Sequence, residues 1–411
     1  MKEKVRIGFL GLGGRGQGLL KLILNMADVE VPAVCDLYDD RIKAGINIVS
    51  EARDYTPTGY SDYRQLLKRE DIDAVIIATS WQTHGRITAA AMRAGKYAAF
   101  EVGGASSVEE CWELVRAYEE TGIWCMMLEN CCYGELELAL LNMIKQGLFG
   151  ELIHCQGAYG HDLRGEITGG IENRHYRFRN FQHRNGELYP THELGPICNM
   201  LNINRGNRLL TLTAMSTKSR GLHEYALKNK PEYANVDWAQ GDVTTTMIKC
   251  AHGETILLKH DCSLPRSYSR EIWVQGTNGI AVELGDKIVI QGRSPEGGWM
   301  EFEWEALSKY IEEFRHPLWT WFREAGVKGG HGGMDYLVQR AFIESVKEGK
   351  LPPIDVYDSA TWMSITCLTE QSIYMGSMPV AVPDFTNGMW IDRRPDPKCR
   401  YSLDAVHNDL F

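Results

Sequence analysis

The 411-residue sequence lacks the features that mark membrane and nucleic-acid-binding proteins. Its apolar runs fall well short of the roughly 20 residues that cross a bilayer. It has no basic excess either, because 54 acidic residues outnumber 44 lysines and arginines and leave a net charge of −10. Since nucleic acids and anionic membranes recruit proteins through basic patches, we expect neither as a partner. The first predicted strand begins at Val5, which leaves no room for a signal peptide, and we expect a cytoplasmic protein.

The eleven cysteines also lack the spacing of a disulfide framework. Cys131 and Cys132 are adjacent, and most others stand singly in apolar patterns, so we predict buried free thiols in a reducing compartment. Cys250-Ala-His252 and His260-Asp-Cys262 look like zinc ligands, but a predicted hairpin places the second pair ~20 Å or more along its returning strand. Zinc needs all its ligands within ~2.3 Å of one point, so we predict no metal site.

The first part of the sequence, residues 1–130, alternates short β-rich runs with helical periodicity. This alternation is typical of a doubly wound α/β domain of the Rossmann type. The predicted strands are Val5–Leu10, Val29–Cys35, Asp73–Ala78, Tyr97–Glu101 and Trp124–Leu128. The predicted helices are Gly18–Met26, Asp39–Ala52, Gly85–Ala94 and Val108–Thr121.

The remaining residues, 131–411, predict a second, substrate-binding α+β domain with an open, largely antiparallel sheet. Its predicted strands are Leu152–Tyr159, Leu209–Ser216, Val243–Cys250, Glu254–His260, Glu271–Gln275 and Gly279–Leu284. Its predicted helices are Glu135–Gln146, His331–Glu348 and Ser359–Met375, the last two of which either cover the sheet or pack back on the first domain. An exposed face of this sheet leads us to expect a homo-oligomer.

The segment Gly11-Leu12-Gly13-Gly14-Arg15-Gly16 matches the G-x-G-x-x-G fingerprint of dinucleotide-binding domains. A predicted strand precedes it and a helix follows it, which is the context the fingerprint requires. Gly11 allows the tight turn, Gly13 lets the backbone approach a pyrophosphate, and Gly16 permits close packing of helix on strand. The N-terminus of the helix then supplies free N–H donors to the phosphates.

The acidic residue at the end of the second strand indicates which dinucleotide binds. Asp36 can accept hydrogen bonds from both ribose hydroxyls of an adenosine and would repel a 2′-phosphate. Arg41 is the residue that could turn toward such a phosphate instead. Because the carboxylate stands at the diagnostic place, the sequence predicts NAD rather than NADP.

Polar and aromatic residues follow the other strands at the carboxyl edge of the predicted sheet, where open α/β sheets bind ligands. By this geometry Trp81, His84, Glu101 and Asn130 are candidates to surround the nicotinamide half of NAD. For Trp81, simple packing of a loop is the alternative.

The segments Asp62-Tyr63-Arg64-Gln65-Leu66-Leu67 and Asp73-Ala-Val-Ile-Ile-Ala-Thr79, followed by His84, resemble the Gfo/Idh/MocA oxidoreductases, and the resemblance covers essentially the whole chain. Most dehydrogenases of that family have Glu-Lys-Pro after the fifth strand, with a lysine that assists proton transfer. This chain has Glu101-Val102-Gly103 there. The missing lysine argues against an ordinary sugar dehydrogenase.

Longer motifs point to a narrower family. They are Trp81-Gln-Thr-His84, Glu101-Val102, Asn173-Arg-His-Tyr-Arg177, Arg184-Asn-Gly-Glu-Leu-Tyr189-Pro-Thr-His192, Leu201-Asn-Ile-Asn-Arg-Gly206 and Gly330-His-Gly-Gly-Met-Asp335. Together they resemble glycoside hydrolase family 109, whose NAD-dependent members include α-N-acetylgalactosaminidases. The resemblance implies NAD contact at Gly14, Arg15, Asp36, Trp81, Gln82, Thr83, His84, Glu101, Val102 and Asn130. It implies substrate contact at Tyr159, Arg177, Tyr189, Pro190, Thr191, His192 and Tyr268.

Three features depart from that family's pattern. Gly14-Arg15 stands where the family has Asn-Arg, and Glu193 follows His192 where the family has glycine. Both bear on fine positioning and on which sugar is accepted. The twin-arginine export signal common in the family is missing, which again leads us to expect a cytoplasmic enzyme.

The resemblance implies a redox route to glycoside cleavage, which is an exception to the usual pair of carboxylates. The sugar is oxidised at C3, loses a proton from C2, and expels the C1 oxygen. Water then adds at C1, C2 is reprotonated, and C3 is reduced again. The stereochemistry is retained and NAD is not consumed.

Three side chains are the candidates for proton transfer in this reaction. His192 is placed to take the O3 proton, with a buried structural histidine as the alternative. Tyr189, three residues earlier, would face the same cleft on one helical turn. Tyr159 is the candidate at C2, with sugar stacking or hydrogen bonding as the alternative. A phenol of pKa ~10 needs a nearby cation to act as a base, and Arg177 or NAD would supply it.

Other roles stay open at this point. Arg177 and Tyr268 are expected to hold sugar hydroxyls or the acetamido group, and His161 and Asp162 are alternative proton carriers. A net sugar 3-dehydrogenase that releases NADH is one alternative function, and a glycosidase of the same mechanism with a different sugar is another. A non-catalytic sugar or NAD sensor is a third. The sugar, its anomeric preference and its aglycone do not follow from the sequence.

Overall fold

Short, largely apolar strands, among them the wholly apolar Ala-Val-Ile-Ile, form the first sheet of the computed structural model, which describes residues 3–299, 301–393 and 398–411. The strands of this part are β1 (Val5–Leu10), β2 (Val29–Cys35), β3 (Thr58–Tyr60), β4 (Ala74–Ile77), β5 (Tyr97–Phe100) and β6 (Cys125–Met127). The helices are α1 (Gly14–Ile23), α2 (Asp39–Ala52), α3 (Tyr63–Leu67), α4 (Trp81–Arg93) and α5 (Val108–Thr121). The order β3-β2-β1-β4-β5-β6, parallel throughout, buries β4 on both faces.

The second part of the chain forms a nine-stranded mixed sheet. Its strands are β7 (Leu152–Gly160), β8 (Leu209–Ser216), β9 (Val243–Cys250), β10 (Thr255–Asp261), β11 (Trp273–Gly276), β12 (Gly279–Val282), β13 (Lys287–Ile290), β14 (Glu305–Ala306) and β15 (Val380–Ala381). Its helices are α6 (Glu135–Lys145), α7 (Arg164–Thr168), α8 (Arg177–His183), α9 (Thr191–Met200), α10 (Gly221–Asn229), α11 (Leu307–Glu313), α12 (Pro317–Glu324), α13 (Met334–Glu348) and α14 (Val356–Tyr374). Single 3₁₀ turns lie at Asn130–Tyr133, Pro231–Tyr233, His331–Gly333, Met389–Ile391 and Asn408–Leu410.

The strand order of this sheet is β14-β13-β12-β11-β7-β10-β9-β8-β15. The central pair β7–β10 is parallel, and the other neighbouring pairs are antiparallel. This arrangement and the parallel first sheet confirm the predicted fold class. The predicted boundary near residue 130 stays a prediction.

The late helices have both of the roles that the sequence left open. Helix α14 packs against β8 and also against α5, so it joins the second sheet to the first part of the chain. Helix α13 packs on α1 and β1 and so returns to the first sheet. Helix α9 lies against β7. The end of β7 and the start of α9 are therefore neighbours.

Several element boundaries differ from the sequence-based prediction. Helix α1 begins at Gly14 rather than Gly18, and α4 begins at Trp81 rather than Gly85. In α1 the first turn consists of glycine and polar residues that are typical of turns, and in α4 the polar residues Gln82 and Thr83 hid the start of the helix. The short elements β3, α3, α7 and α8 were not predicted, since their apolar patterns are too brief to show a period.

The predicted hairpin of β9 and β10 is confirmed, with Lys249 opposite Thr255 and Thr244 opposite His260. His260 therefore lies at the far end of the ladder from Cys250, as the argument against zinc assumed. Nine cysteines are buried as free thiols: Cys35, Cys111, Cys125, Cys131, Cys132, Cys155, Cys198, Cys250 and Cys262. Within the described ranges, no helix combines the length and the apolar character that a membrane span requires.

Candidate functional site

The glycine-rich turn between β1 and α1 can be made only by residues without a side chain. Gly11 has φ +91°, and a Cβ at this position would lie 2.4 Å from the Ala78 carbonyl oxygen. A Cβ on Gly16 would lie 2.0 Å from the Gly11 carbonyl oxygen. Gly14, by contrast, faces open space. The helix is thus pressed against the strand on one side and open to a ligand on the other.

The open side fits the pyrophosphate and ribose of NAD. Among the described residues, no side chain caps α1 at Gly13 and no acidic residue stands in its first turn. The first amide groups of this helix therefore keep their donors and its positive dipole end for an anion. The Asp36 carboxylate accepts from the amides of Leu12 at 2.7 Å and Tyr38 at 3.1 Å, which fixes it beside the turn. Its remaining lone pairs suit ribose hydroxyls.

Arg15, in the first turn of α1, joins two acidic groups. Its guanidinium pairs with Glu101 at 3.1 Å and with Asp335 at 2.7 Å. The amide of Asn130 also donates to Asp335, at 2.8 Å. Burial raises the pKa of Glu101, and Arg15 opposes that rise. The structure thus brings Arg15, Glu101 and Asn130 together, through an aspartate that the sequence analysis named only as part of a motif and to which it gave no role.

The residues predicted to contact NAD in the first turn of α4 differ in whether their polar atoms are free for a ligand. Trp81 is buried with its indole N–H without a hydrogen-bond partner among the described residues. His84 is also buried, and its Nε2 lies 3.1 Å from the Thr79 carbonyl oxygen. Burial lowers the pKa of His84 to about 4, so its ring is neutral. The Thr83 hydroxyl donates to the Ser80 carbonyl at 2.8 Å. His84 and Thr83 thus direct polar atoms to the backbone of Thr79 and Ser80, just before the helix, whereas Gln82 is exposed and Val102 buried.

Four aromatic rings from three elements form one cluster. Tyr159, near the end of β7, has its ring centroid 4.4 Å from that of Tyr189 and 5.5 Å from that of His192. Tyr189 lies 4.8 Å from His192 and 5.7 Å from Trp81. Tyr159, Tyr189 and Trp81 are buried and His192 is partly exposed. The three predicted proton carriers therefore share one site.

The expected helical turn from Tyr189 to His192 is wrong in detail. Helix α9 begins at Thr191 with Pro190 as its N-cap residue, so Tyr189 precedes the helix. The two rings still meet, because Pro190 turns the chain at the helix start. Thr191, like Pro190, is buried.

A buried carboxylate holds His192. Glu129 is fully buried, and its Oε1 lies 2.7 Å from His192 Nδ1 and accepts from the Cys131 amide at 3.0 Å. Burial would raise the pKa of Glu129, but the attraction of His192 and the hydrogen bond to it lower the pKa below its usual value. The sequence pattern pointed to its neighbour Asn130, and only the fold shows that Glu129 faces His192.

Glu129, Cys131 and His192 also place ligand-type atoms within 4.8 Å of one another. Burial raises the pKa of the Cys131 thiol well above its usual value, so this sulfur is protonated at neutral pH. Glu129 and His192 are already hydrogen-bonded to each other at 2.7 Å. The group is best described as a hydrogen-bonded carboxylate–imidazole pair beside a buried thiol.

Tyr159 has a second imidazole within reach. Its hydroxyl lies 3.1 Å from His161 Nδ1. Burial raises the pKa of Tyr159 well above 10, and Arg177 opposes that rise. Burial, with the repulsion of Arg177, lowers the pKa of His161 below 6.5. A neutral imidazole therefore faces a protonated phenol. Asp162 is bound to Arg164 at 2.7 Å instead.

Arg177 is the cation of this cluster. Its guanidinium carbon lies 5.1 Å from the Trp81 ring centroid and 5.0 Å from that of Tyr189. Nε lies 2.7 Å from Glu166 Oε1 as an ion pair, yet neither Nε nor Nη1, both buried, makes a hydrogen bond within the described residues. A buried charged donor without a partner is costly, which is expected where a ligand supplies the acceptor. Tyr268 is 46% exposed, and its ring lies 6.4 Å from Tyr159, at the rim of the cluster.

Comparison with known proteins agrees with this geometry. Residues 133–392 match the family model described as "Glycosyl hydrolase 109, C-terminal domain". Residues 5–128 match the model described as "Oxidoreductase family, NAD-binding Rossmann fold". Among solved structures, an NAD binding oxidoreductase from Klebsiella pneumoniae superposes with a TM-score of 0.70 at 14% identity, covering 93% of this chain and 99% of that one. At such low identity the superposition shows the shared fold.

Two curated relatives are similar over nearly the full length. A glycosyl hydrolase family 109 protein of Stenotrophomonas maltophilia is 40% identical, over 96% of this chain and 91% of the relative. An alpha-N-acetylgalactosaminidase of Tannerella forsythia is 38% identical, over 95% and 88% respectively. The chain therefore belongs to glycosyl hydrolase family 109 and is an NAD-dependent glycosidase.

Proposed function

We propose that this enzyme removes a terminal α-linked sugar, with N-acetylgalactosamine as the first candidate, by transient oxidation at C3. The observation that carries the proposal is the cluster of Tyr159, Tyr189 and His192 around Arg177, next to the cofactor turn. The enzyme of Tannerella forsythia, named for that sugar, is similar over nearly the whole chain, which makes it the first substrate to test. NAD, when bound, accepts hydride from C3 and returns it at the end of the cycle.

His192 acts as the base toward the O3 hydroxyl. Ionised Glu129 can only accept a hydrogen bond, so Nδ1 of His192 carries the proton and Nε2 is left free to receive one. The imidazolium formed as O3 loses its proton is stabilised by Glu129, which is already in place. The same pair returns the proton when the ketone at C3 is reduced.

Tyr159 handles the proton at C2, which the ketone at C3 makes acidic. Its hydroxyl lies 3.1 Å from Nδ1 of the neutral His161 imidazole, so the phenol passes its own proton to His161 only as its oxygen takes the C2 proton. Arg177 stabilises the negative charge that develops on the phenol oxygen during this transfer and lends its unpaired Nη1 to an oxygen of the sugar. Removal of the C2 proton expels the C1 oxygen, and water then adds at C1 before Tyr159 reprotonates C2.

Incubation with NAD⁺ and a nitrophenyl α-N-acetylgalactosaminide tests the overall reaction. We expect release of the phenol without net formation of NADH, and solvent deuterium at C2 of the product. Stoichiometric NADH would instead show a sugar 3-dehydrogenase, and a product without deuterium would exclude the elimination step. Turnover of a panel of other α- and β-glycosides identifies the sugar and the anomer that the enzyme accepts. Failure of all of them would favour a sensor.

A matched variant isolates the role of Tyr159. In Tyr159→Phe the phenol is lost but the ring that packs against Tyr189 remains. We expect turnover to fall to background while the variant binds NAD as tightly as wild type. If Tyr159→Phe retains activity, another residue handles the proton at C2, and His161 is the first to test.

A further inference from the structure

The motif Gly330–Asp335 is one of those that resemble glycoside hydrolase family 109, but it has no role in the chemistry described so far. It lies at the start of α13, more than 200 positions after the NAD-binding residues, yet it contacts them. Gly333 has φ +104°, and a Cβ there would lie 2.6 Å from the Phe322 ring, so the turn needs glycine at this position. The turn places Asp335 in the first turn of α13, pointing toward the first sheet.

Asp335 accepts hydrogen bonds from three different side chains. Arg15 donates to both of its oxygens, from Nη1 at 2.7 Å and from Nη2 at 2.9 Å. Asn130 donates from Nδ2 at 2.8 Å, and His331 Nδ1 lies 2.8 Å away. The aspartate is 3% exposed. A buried carboxylate with a two-pronged guanidinium contact is among the most directional polar contacts in proteins.

The charges explain why the contact is strong. Burial would raise the pKa of Asp335, but the hydrogen bonds from Arg15 and His331 bring it well below its usual value. The ionised aspartate and Glu101 thus hold the Arg15 guanidinium between them. Without Asp335, Arg15 would keep one acidic partner and lose the one that fixes its orientation.

We infer that Asp335 is a positioning residue of the NAD site, holding Arg15 and Asn130 in the orientation in which they meet the cofactor. The inference rests on the assignment of Arg15 and Asn130 to that site. It means that the C-terminal part of the chain completes a binding site whose other residues lie in the first 130 positions. His331 is partly exposed, and its Nδ1 lies 2.8 Å from Oδ2 of Asp335, which adds a further contact that fixes the carboxylate.

Another aspartate on the same helix interface provides a matched control. Asp28 accepts from Arg340 and Lys347 of α13, each at 2.7 Å, so it joins the same helix to the same part of the fold. It makes no contact with Arg15 or Asn130. An effect of Asp335 that reflects helix docking alone would therefore be reproduced by Asp28→Asn.

The experiment measures NADH binding by fluorescence and thermal unfolding, with no glycoside present, so its result does not depend on the proposed reaction. For Asp335→Asn we expect the Kd for NADH to rise about tenfold or more. For Asp28→Asn we expect a lower melting temperature and an unchanged Kd. The inference is overturned if Asp335→Asn binds NADH like wild type, or if both variants weaken NADH binding equally.

A second variant covers the case in which Asp335→Asn does not fold. Asp335→Glu keeps the negative charge but moves the carboxylate by one methylene. A positioning role predicts a melting temperature near that of wild type together with a raised Kd for NADH. If Asp335→Glu restores both stability and affinity, the residue is an ordinary ion-pair partner and the inference is wrong.

Discussion

His192 is controlled by a single buried contact. Glu129 offers its carboxylate to Nδ1 and is itself fixed by the Cys131 amide, so the imidazole has one tautomer and one orientation. An imidazole held in this way is a better base than a free one, because the positive charge that it gains is already compensated.

The first prediction concerns this contact. In Glu129→Gln the side chain keeps its size and can still accept from Nδ1–H, but it no longer compensates the imidazolium. We expect kcat for the nitrophenyl glycoside to fall about 100-fold or more, within the range of general-base effects. Bound NAD and the melting temperature provide the check on folding.

Glu370→Gln is the control for that variant. It removes a carboxylate that binds Arg184 at 2.6 Å and does not touch the ring cluster. Its kcat should match wild type. If Glu129→Gln also keeps the wild-type kcat, the carboxylate does not assist His192.

At the scale of elements, the segment between α7 and α8 crosses from one part of the fold to the other. The Arg174 guanidinium lies 4.2 Å from the Tyr38 ring centroid and pairs with Asp40, and Arg41 donates to the Asn173 carbonyl. Two residues further on, Tyr176 lies against Trp81 at 4.6 Å. Contacts at Tyr38 and at Trp81 are the two ends of the edge along which a dinucleotide binds in such sheets.

We call residues 173–176, which make these contacts, the strap, and the second prediction concerns them. Because NAD is returned to its starting state in each proposed cycle, an enclosed cofactor would not need to exchange. In Arg174→Ala we expect bound NAD to dissociate about fivefold faster, since the cation–π contact and the ion pair are lost. The rate is measured by exchange of bound NAD for a labelled copy.

Lys230→Ala serves as the matched control for the strap. The substitution breaks an exposed ion pair between Lys230 and Glu172. Glu172 lies in the same loop as the strap, but this ion pair does not reach the first part of the chain. NAD should dissociate from it at the wild-type rate. Equal rates for Arg174→Ala and wild type would show that the strap does not retain the cofactor.

Helix α9 contains an unusual acidic residue directly behind His192. Glu193 is fully buried, and neither of its oxygens has a hydrogen-bond partner in the described part of the chain. Burial and the nearby carboxylate of Glu187 raise its pKa well above the usual value. The fold therefore accommodates this carboxyl group in its neutral form.

The third prediction is a dependence of stability on pH. Because the folded-state pKa of Glu193 is raised above its unfolded value, the folded protein binds the proton more tightly, and stability falls as pH rises through the folded pKa. In Glu193→Gln this loss is absent. We expect equal melting temperatures at about pH 4, below the ordinary pKa of a glutamate, and a variant more stable by about 3 °C or more at alkaline pH. A constant difference at all pH values would contradict this account.

At the scale of the whole molecule, the second sheet has an outer face with apolar residues. Met215 and Met247 are 67% and 41% exposed, and Met247 lies opposite Leu257 on the neighbouring strand. An exposed apolar patch on a sheet is a common site of association. The homo-oligomer expected from the sequence would use this face.

The fourth prediction tests that expectation. We expect wild type to have a mass above that of one chain in light scattering, and Met247→Lys to shift it toward the monomer, because a charge would be buried in the contact. Leu227→Lys adds the same charge to an exposed position of α10 and should leave the mass unchanged. A wild type of monomer mass would contradict the prediction.

Much of the site followed from local patterns. The turn at Gly11 and Asp36 at the end of β2 were predicted because each depends on a few neighbouring residues and on the alternation of strand and helix. Tyr189 and His192 meet as expected, although the predicted helical turn does not include Tyr189. The pairing of His84 with the Thr79 carbonyl was not foreseen, since a histidine after a strand gives the same sequence pattern whether it faces a ligand or a carbonyl group.

The amino-acid sequence by itself determined the fold class, the NAD-binding Rossmann domain and the family, because periodicity, glycine turns and motifs are properties of short segments. Only the tertiary structure decided which partners these residues have. Glu129 reaches His192 across 63 positions, and Asp335 reaches Arg15 across 320. Contacts over such separations arise from the packing of α9 and α13 on the two sheets, and the spacing of residues along the chain contains no record of them.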